Sequence, residues 1–172
     1  MPAKLFSATT IGIDAIPIEV EVDTSPGLHS FSIVGMADKA VSESKERVSS
    51  AIKNSGIQPP QRVNKRITVN LAPADMKKEG SGFDLAIAVG WLLASGQIFP
   101  FDTSKRLFLG ELALDGTVRK IPGILPIVEM AEIMGYETVF LPKNNVFEVS
   151  GFEKIQLIPV SSLGELISHL EG

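Results

Sequence analysis

The stretch KKEGSGFDLAIAVGWLLASG, Lys77 to Gly96, decides how this chain is read. It opens like an active-site loop, with an acidic residue followed by Gly-Ser-Gly, and it continues as an apolar run from Leu85 to Ala94. Such a run makes a buried helix and is too short to span a bilayer. The expected helix runs from about Phe83 to Ser95. Gly80 and Gly82 then serve as turn residues, permitting positive φ and close packing where the loop enters the helix. Asp84 stands where it can accept first-turn N–H groups. The open question is whether Ser81 does chemistry.

Elements on either side give the frame. LFSATTIG and PIEVEVD read as strands, the second alternating Ile18, Val20 and Val22 with Glu19, Glu21 and Asp23 in the period of a half-exposed sheet. SPGLHS turns the chain into a third strand, FSIVG, so the opening reads as an antiparallel meander. DKAVSESKERVSSAIKNSG sets Val41, Ser44, Val48, Ala51 and Ile52 on one helical stripe, capped by Asp38 and stopped by Gly56. A proline-bounded loop, QPPQRVNKR, leads to the strand RITVNL. Beyond the central helix come a hairpin turned at Asp115-Gly116, the helix GILPIVEMAEIMG, strands ETVFLP and EKIQLIPV, and a closing helix capped by Ser161 or Ser162. The pattern is α+β, a mixed sheet with helices between its later strands, in a single domain over residues 1–172.

Composition excludes several functions. With 44% hydrophobic and 21% charged residues the chain has the balance of a soluble globular domain. It has no cysteine, which removes disulfide scaffolds, zinc fingers and thiol catalysis and suits a reducing cytosol. The N-terminus, with Asp14 and Glu19 inside its apolar pattern, makes a poor signal peptide. Net charge is −4, yet residues 37–80 hold nine Lys/Arg against five Asp/Glu. Arg62, Lys65 and Arg66, with Lys77 and Lys78 on the next loop, are therefore the candidate contacts for DNA or an acidic partner. Strand pairing is expected to bring the two loops to one edge of the sheet.

The chemistry of the Gly-Ser-Gly turn narrows by elimination. A phosphate-binding loop needs a lysine after its glycines, and EGSGFDL has none. The only histidines are His29 and His169, too isolated for a triad or a metal site, so no metal is expected. Asp75, Glu79 and Asp84 lie among Lys77 and Lys78 and suit a salt-bridged loop better than a catalytic carboxylate pair. What remains is a Ser/Lys dyad.

The run RITVNLAPADMKKEGSGFDLAIAVGWLLASG, then FLGELALDGTVRKIPGILPIVEMA, and earlier SFSIVGMADKAVSESKERVSSAIKNSG, resembles the N-terminal domain of the magnesium-chelatase-like ComM/YifB family. The resemblance runs from about Phe6 to Val160. It implies a Lon-protease-like domain of the ribosomal protein S5 domain 2-like fold. An AAA+ ATPase domain, holding ATP and Mg in a hexameric cytoplasmic ring, would follow and is absent from this chain. The implied biology is DNA branch migration during natural transformation. Lon-type peptidases carry acidic-Gly-Pro-Ser-Ala-Gly at the corresponding helix. Matching Glu79-Gly80 to it puts Ser81 in the proline slot and Gly82 in the serine slot. The lysine slot, two residues beyond the second glycine of GTVRKIPG, is Leu125. Both dyad members are then missing, and a one-residue slip toward Ser81 leaves no lysine in place, Lys120 lying ahead of Pro122-Gly123. The resemblance thus implies a non-enzymatic chain without cofactor or catalytic residue, acting in interaction and substrate positioning, with its own AAA+ domain and weakly bound DNA as partners. Leu125 is expected to fill the lysine's space. The alternatives are an active Lon-like serine peptidase and a subunit of a metal-insertion machine.

Overall fold

The computed structural model describes residues 2–60 and 64–172, so Arg62 lies outside the described residues. β1 (Ala3–Ile11) and β2 (Asp14–Pro26) form a long antiparallel hairpin, pairing Leu5 with Val20 and Ile11 with Asp14. β3 (Ser30–Val34) then leads through α1 (Lys39–Ser42) and α2 (Ser44–Asn54) into β4 (Lys65–Ala72). Here the expected meander is corrected. β4 inserts between β2 and β3, antiparallel to the first and parallel to the second. The reason is the helical connection: a strand–helix–strand unit returns its second strand parallel to its first, which a tight turn cannot do.

The remaining elements are α3 (Asp84–Ala94), β5 (Arg106–Phe108), a short hairpin of β6 (Glu111–Leu112) and β7 (Val118–Arg119), α4 (Ile124–Ile133), β8 (Thr138–Pro142), a 3-10 helix (Lys143–Val149), β9 (Gln156–Val160) and α5 (Leu163–Leu170). The main sheet runs β3-β4-β2-β1-β5-β8-β9, with β1, β5, β8 and β9 parallel. The mixed α+β architecture matches the sequence reading. The helix expected from Asp38 to Gly56 is broken at Glu43 into α1 and α2, although its stripe of Val41, Ser44, Val48, Ala51 and Ile52 is buried throughout.

α3 is buried from Asp84 to Leu92. A helix apolar on all sides has to be covered on all sides. α3 lies against β1 and β2 below and α2 beside it. Gly90 allows that approach, since a Cβ there would stand 2.5 Å from Val22 Cγ2. This packing makes one core, on the sheet face that also carries α2 and α5. α4 covers the other face with Ile124, Ile127, Val128 and Ala131 against Ala8, Leu107 and Val139. No helix among the described residues is long and apolar enough to cross a membrane.

Candidate functional site

The parallel pair β1–β5 registers at a single point, Phe6 with Leu107. Past it the chain of β5 turns away. Leu109 N–H donates to Phe140 C=O at 2.9 Å, and Gly110 N–H donates to Gly82 C=O at 3.1 Å. The divergence opens a cleft of about 380 Å³ beside the end of β1. Ala8, Thr9 and Thr10 line one side; the Glu79–Phe83 loop, Asp38 and Ala40 line another; Ile121, Pro122 and Ile127 close it.

Each wall has a local cause. Asp38 caps α1 by accepting from Val41 N–H at 2.8 Å, as expected, while its other oxygen accepts from Gly80 N–H at 3.3 Å. Residues 36–38 and 78 pair like strands, with Lys78 N–H on Met36 C=O at 2.9 Å and Asp38 N–H on Lys78 C=O at 3.0 Å. Gly80 takes φ +86°, which a side chain rarely adopts. Gly82 does not take a positive φ, which corrects its expected role. A Cβ at Gly82 would meet only the Ile121 methyls, at 3.7 and 3.8 Å, so this position has room for a side chain. The opposite wall is pinned by Asn145, buried, whose amide accepts from Ile121 N–H and donates to Ile121 C=O, both at 2.9 Å. Gly123 (φ +77°) starts α4 so close to β1 that a Cβ there would stand 2.7 Å from Thr10 Cγ2.

Ser81 lines the cleft, and no lysine or histidine does. Lys120 is exposed and lines a separate hollow with Asn145 and Glu148. Leu125 is 43% exposed and stands outside the lining, so it does not fill a lysine's place. Ile121, Pro122 and Ile127 bound the cleft instead. Nucleotide does not fit here: the turn lacks a phosphate-binding lysine, and the lining carries the carboxylates of Asp38 and Glu79 and, among the described residues, no cation. Among the described residues no group of acidic or histidine side chains could hold a metal ion.

Asp84 is not the cap expected of it. It is fully buried and binds α2 to α3 and the β6 hairpin. Arg47 Nε and Nη2 donate to its two oxygens at 2.6 and 3.0 Å, Ser44 Oγ donates at 2.5 Å and Leu112 N–H at 3.0 Å. Burial raises the Asp84 carboxyl above its ordinary range, and the hydrogen bonds from Arg47, Ser44 and Leu112 pull it back. The network sits directly under the cleft loop and fixes the entry of α3.

The basic candidates do not form one patch. Lys65 and Arg66 begin β4, and the loop carrying Lys77 and Lys78 leaves its other end. The eight residues of β4 separate the two groups by about 23 Å at ordinary strand rise. Lys77 is exposed and pairs with Glu79 at 3.5 Å. Lys78 is fully buried, its ammonium bonded to Pro73 C=O, and burial lowers its pKa. Lys78 cannot reach a phosphate. The sequence did not reveal Asn145, Arg47 or the Thr9–Thr10 wall; a polar residue on an apolar stripe was the one available signal, and Ser44 carried it.

Residues 20–145 match the family model described as ChlI, subunit ChlI of Mg-chelatase. The chain is 36% identical over 170 residues to the competence protein ComM of Haemophilus influenzae, covering 99% of this chain and 33% of ComM. It is 38% identical over 168 residues to the uncharacterized protein YifB of Escherichia coli, covering 98% of this chain and 32% of YifB. An uncharacterized protein of Mycobacterium tuberculosis is 38% identical over 170 residues, 98% of this chain and 33% of the relative. The chain thus spans about a third of the length of these relatives. It belongs to the magnesium-chelatase ChlI family, as a relative of ComM and YifB.

Proposed function

We propose that this chain is the non-catalytic N-terminal domain of a ComM-like AAA+ ATPase, with a Lon-like, S5 domain 2-like fold. Its role is interaction and substrate positioning, and the parent acts in DNA branch migration during transformation. The identity to ComM over nearly the whole chain carries this reading. The cleft supports the non-catalytic part: Ser81 lines it with no lysine or histidine to take its proton. ATP and Mg belong to the ATPase domain that the other two thirds of the relatives' length would supply, assembled as a cytoplasmic hexameric ring. DNA contact by this domain is weak and rests on Lys65 and Arg66.

The test uses full-length parent protein. Its ATP hydrolysis should rise with branched DNA, and removing residues 1–172 should reduce strand exchange more than basal hydrolysis. The family model's description favours a second reading, metal insertion into a tetrapyrrole. Stimulation of ATP hydrolysis by a porphyrin substrate and not by branched DNA would establish that reading in place of the first.

A further inference from the structure

β1 leaves a strand edge open inside the cleft. Ala8, Thr9, Thr10 and Ile11 pair with Pro17, Ile16, Ala15 and Asp14 of β2 on one side. On the other side β5 reaches only Phe6, so among the described residues no strand follows β1 from Ala8 onward. Alternate N–H and C=O groups of this segment therefore point into the cleft with no ladder partner. Exposed strand edges are usually blunted by charge, proline or a covering element. This one starts between the Gly80–Phe83 loop and the Ile121-Pro122 wall, with Ala8, Thr9 and Thr10 lining the cleft and Ile11 exposed beyond them.

We propose that this cleft binds an extended segment of a partner protein, which adds to β1 as a strand along Ala8–Ile11. The backbone edge selects an extended polypeptide, because only a chain of peptide groups matches its alternating donors and acceptors. At ordinary strand rise the four residues offer about 13 Å, room for about four residues of the partner. The walls set the side chains. Ala8, Phe83, Ile121 and Ile127 accept small or branched apolar groups, and Gly82 leaves free the volume that one of them would enter. The carboxylate of Asp38, with Glu79 balanced by Lys77, favours a neutral or basic segment and disfavours nucleic acid phosphates. The proposal rests on the non-catalytic reading of the cleft, since the segment is held and not cut.

The probe is a fluorescein-labelled decapeptide of alternating Val and Thr, made with flanking Lys, with flanking Glu, and with alternate backbone nitrogens methylated. Binding to the full 172-residue chain is read by fluorescence polarisation. The Lys-flanked peptide should bind most tightly, and N-methylation, which keeps the side chains and removes the donors, should weaken it at least tenfold. Gly82→Leu should weaken it at least tenfold by filling the cleft. Ser81→Trp serves the same purpose from the adjacent position, and thermal melting of both variants establishes that they fold. Amide shifts on binding should fall on Thr9–Ile11 and Gly80–Phe83. The proposal is overturned if no peptide binds by about 1 mM. Equal binding of the methylated peptide, indifference to both plugging variants, or preferential binding of a single-stranded oligonucleotide in the same cleft would also overturn it. Cleavage of the bound peptide is a separate result: it would refute the non-catalytic reading and leave the strand pairing standing.

Discussion

Gly80 and Gly82 stand two residues apart in one turn and do different things. Gly80 holds φ +86° with open space where a Cβ would go, so its constraint is conformational. Gly82 has an ordinary backbone and a Cβ site in van der Waals contact with Ile121, so it carries little constraint of either kind. Gly80→Val should therefore cost about 1–3 kcal/mol, the strain of a branched residue at positive φ. Gly82→Ser should stay within about 0.5 kcal/mol of the parent. Denaturant unfolding of the two variants checks both values, and an equal cost would contradict the distinction drawn here. Restoring a serine at Gly82 should yield no hydrolysis of casein or peptides, because Leu125 is at the surface and no lysine lines the cleft. The unsubstituted chain should likewise leave Ser81 unlabelled by serine-directed reagents. The shape of the turn could be read from the spacing of its glycines. Which glycine bears the strain could not, because φ is set by contacts that arrive from Asp38 and Gly110, far along the chain.

Helix α3 was evident from its unbroken apolar run, and so was its need for cover on every side. The polar residue at its start has a role that its neighbours in sequence do not show. Asp84 looks like a cap when only its neighbours are considered, but its partners Ser44 and Arg47 lie 40 and 37 residues away on α2. Local spacing carries no information about such a bond. Removing one side of this buried pair strands the other, so Arg47→Met should cost about 3–5 kcal/mol. The loss should depend on pH in a defined direction. Without Arg47, burial acts on Asp84 less opposed, and the folded-state pKa rises further above the unfolded value. The folded variant then binds a proton more readily than the unfolded chain, and its stability falls as pH rises through that window. Denaturation should find the variant closer to the parent at about pH 5 than at about pH 8. Asn145 acts across another junction, holding Ile121 by two 2.9 Å bonds from the 3-10 helix, and Asn145→Leu should loosen the cleft wall. Exchange of the Ile121 amide with solvent measures that directly.

Across the molecule, the α+β class and most elements followed from hydrophobic period and turn residues, while strand order did not. β4 separates β2 from β3 because the helical crossover returns it parallel to β3, and no local pattern encodes that choice. The same insertion decides what the basic residues can do. It sets Lys65 and Arg66 opposite Pro26 and Ser25, about 23 Å along β4 from the loop of Lys77 and Lys78. Lys77, in an exposed pair with Glu79, lies at the other end of β4 and Lys78 is buried, so of the five basic candidates Lys65 and Arg66 are the described two that can meet a phosphate together. Two phosphate contacts release about two counterions, giving a slope of log affinity on log salt near −2. The chain's net charge of −4 opposes even that. Binding of duplex or branched DNA by this chain should therefore be sequence-independent and no tighter than roughly 10⁻⁴–10⁻⁶ M. Lys65→Ala combined with Arg66→Ala should flatten the salt slope by about two units. Lys78→Ala, by contrast, should lower stability and leave the slope unchanged, because its ammonium is spent on Pro73. In the full-length parent the double variant should reduce stimulation of ATP hydrolysis by DNA while sparing the basal rate. Titration of labelled DNA at several salt concentrations decides the matter: a double variant indistinguishable from the parent chain would assign DNA contact to another part of the protein and leave this end of the sheet as a solvated face.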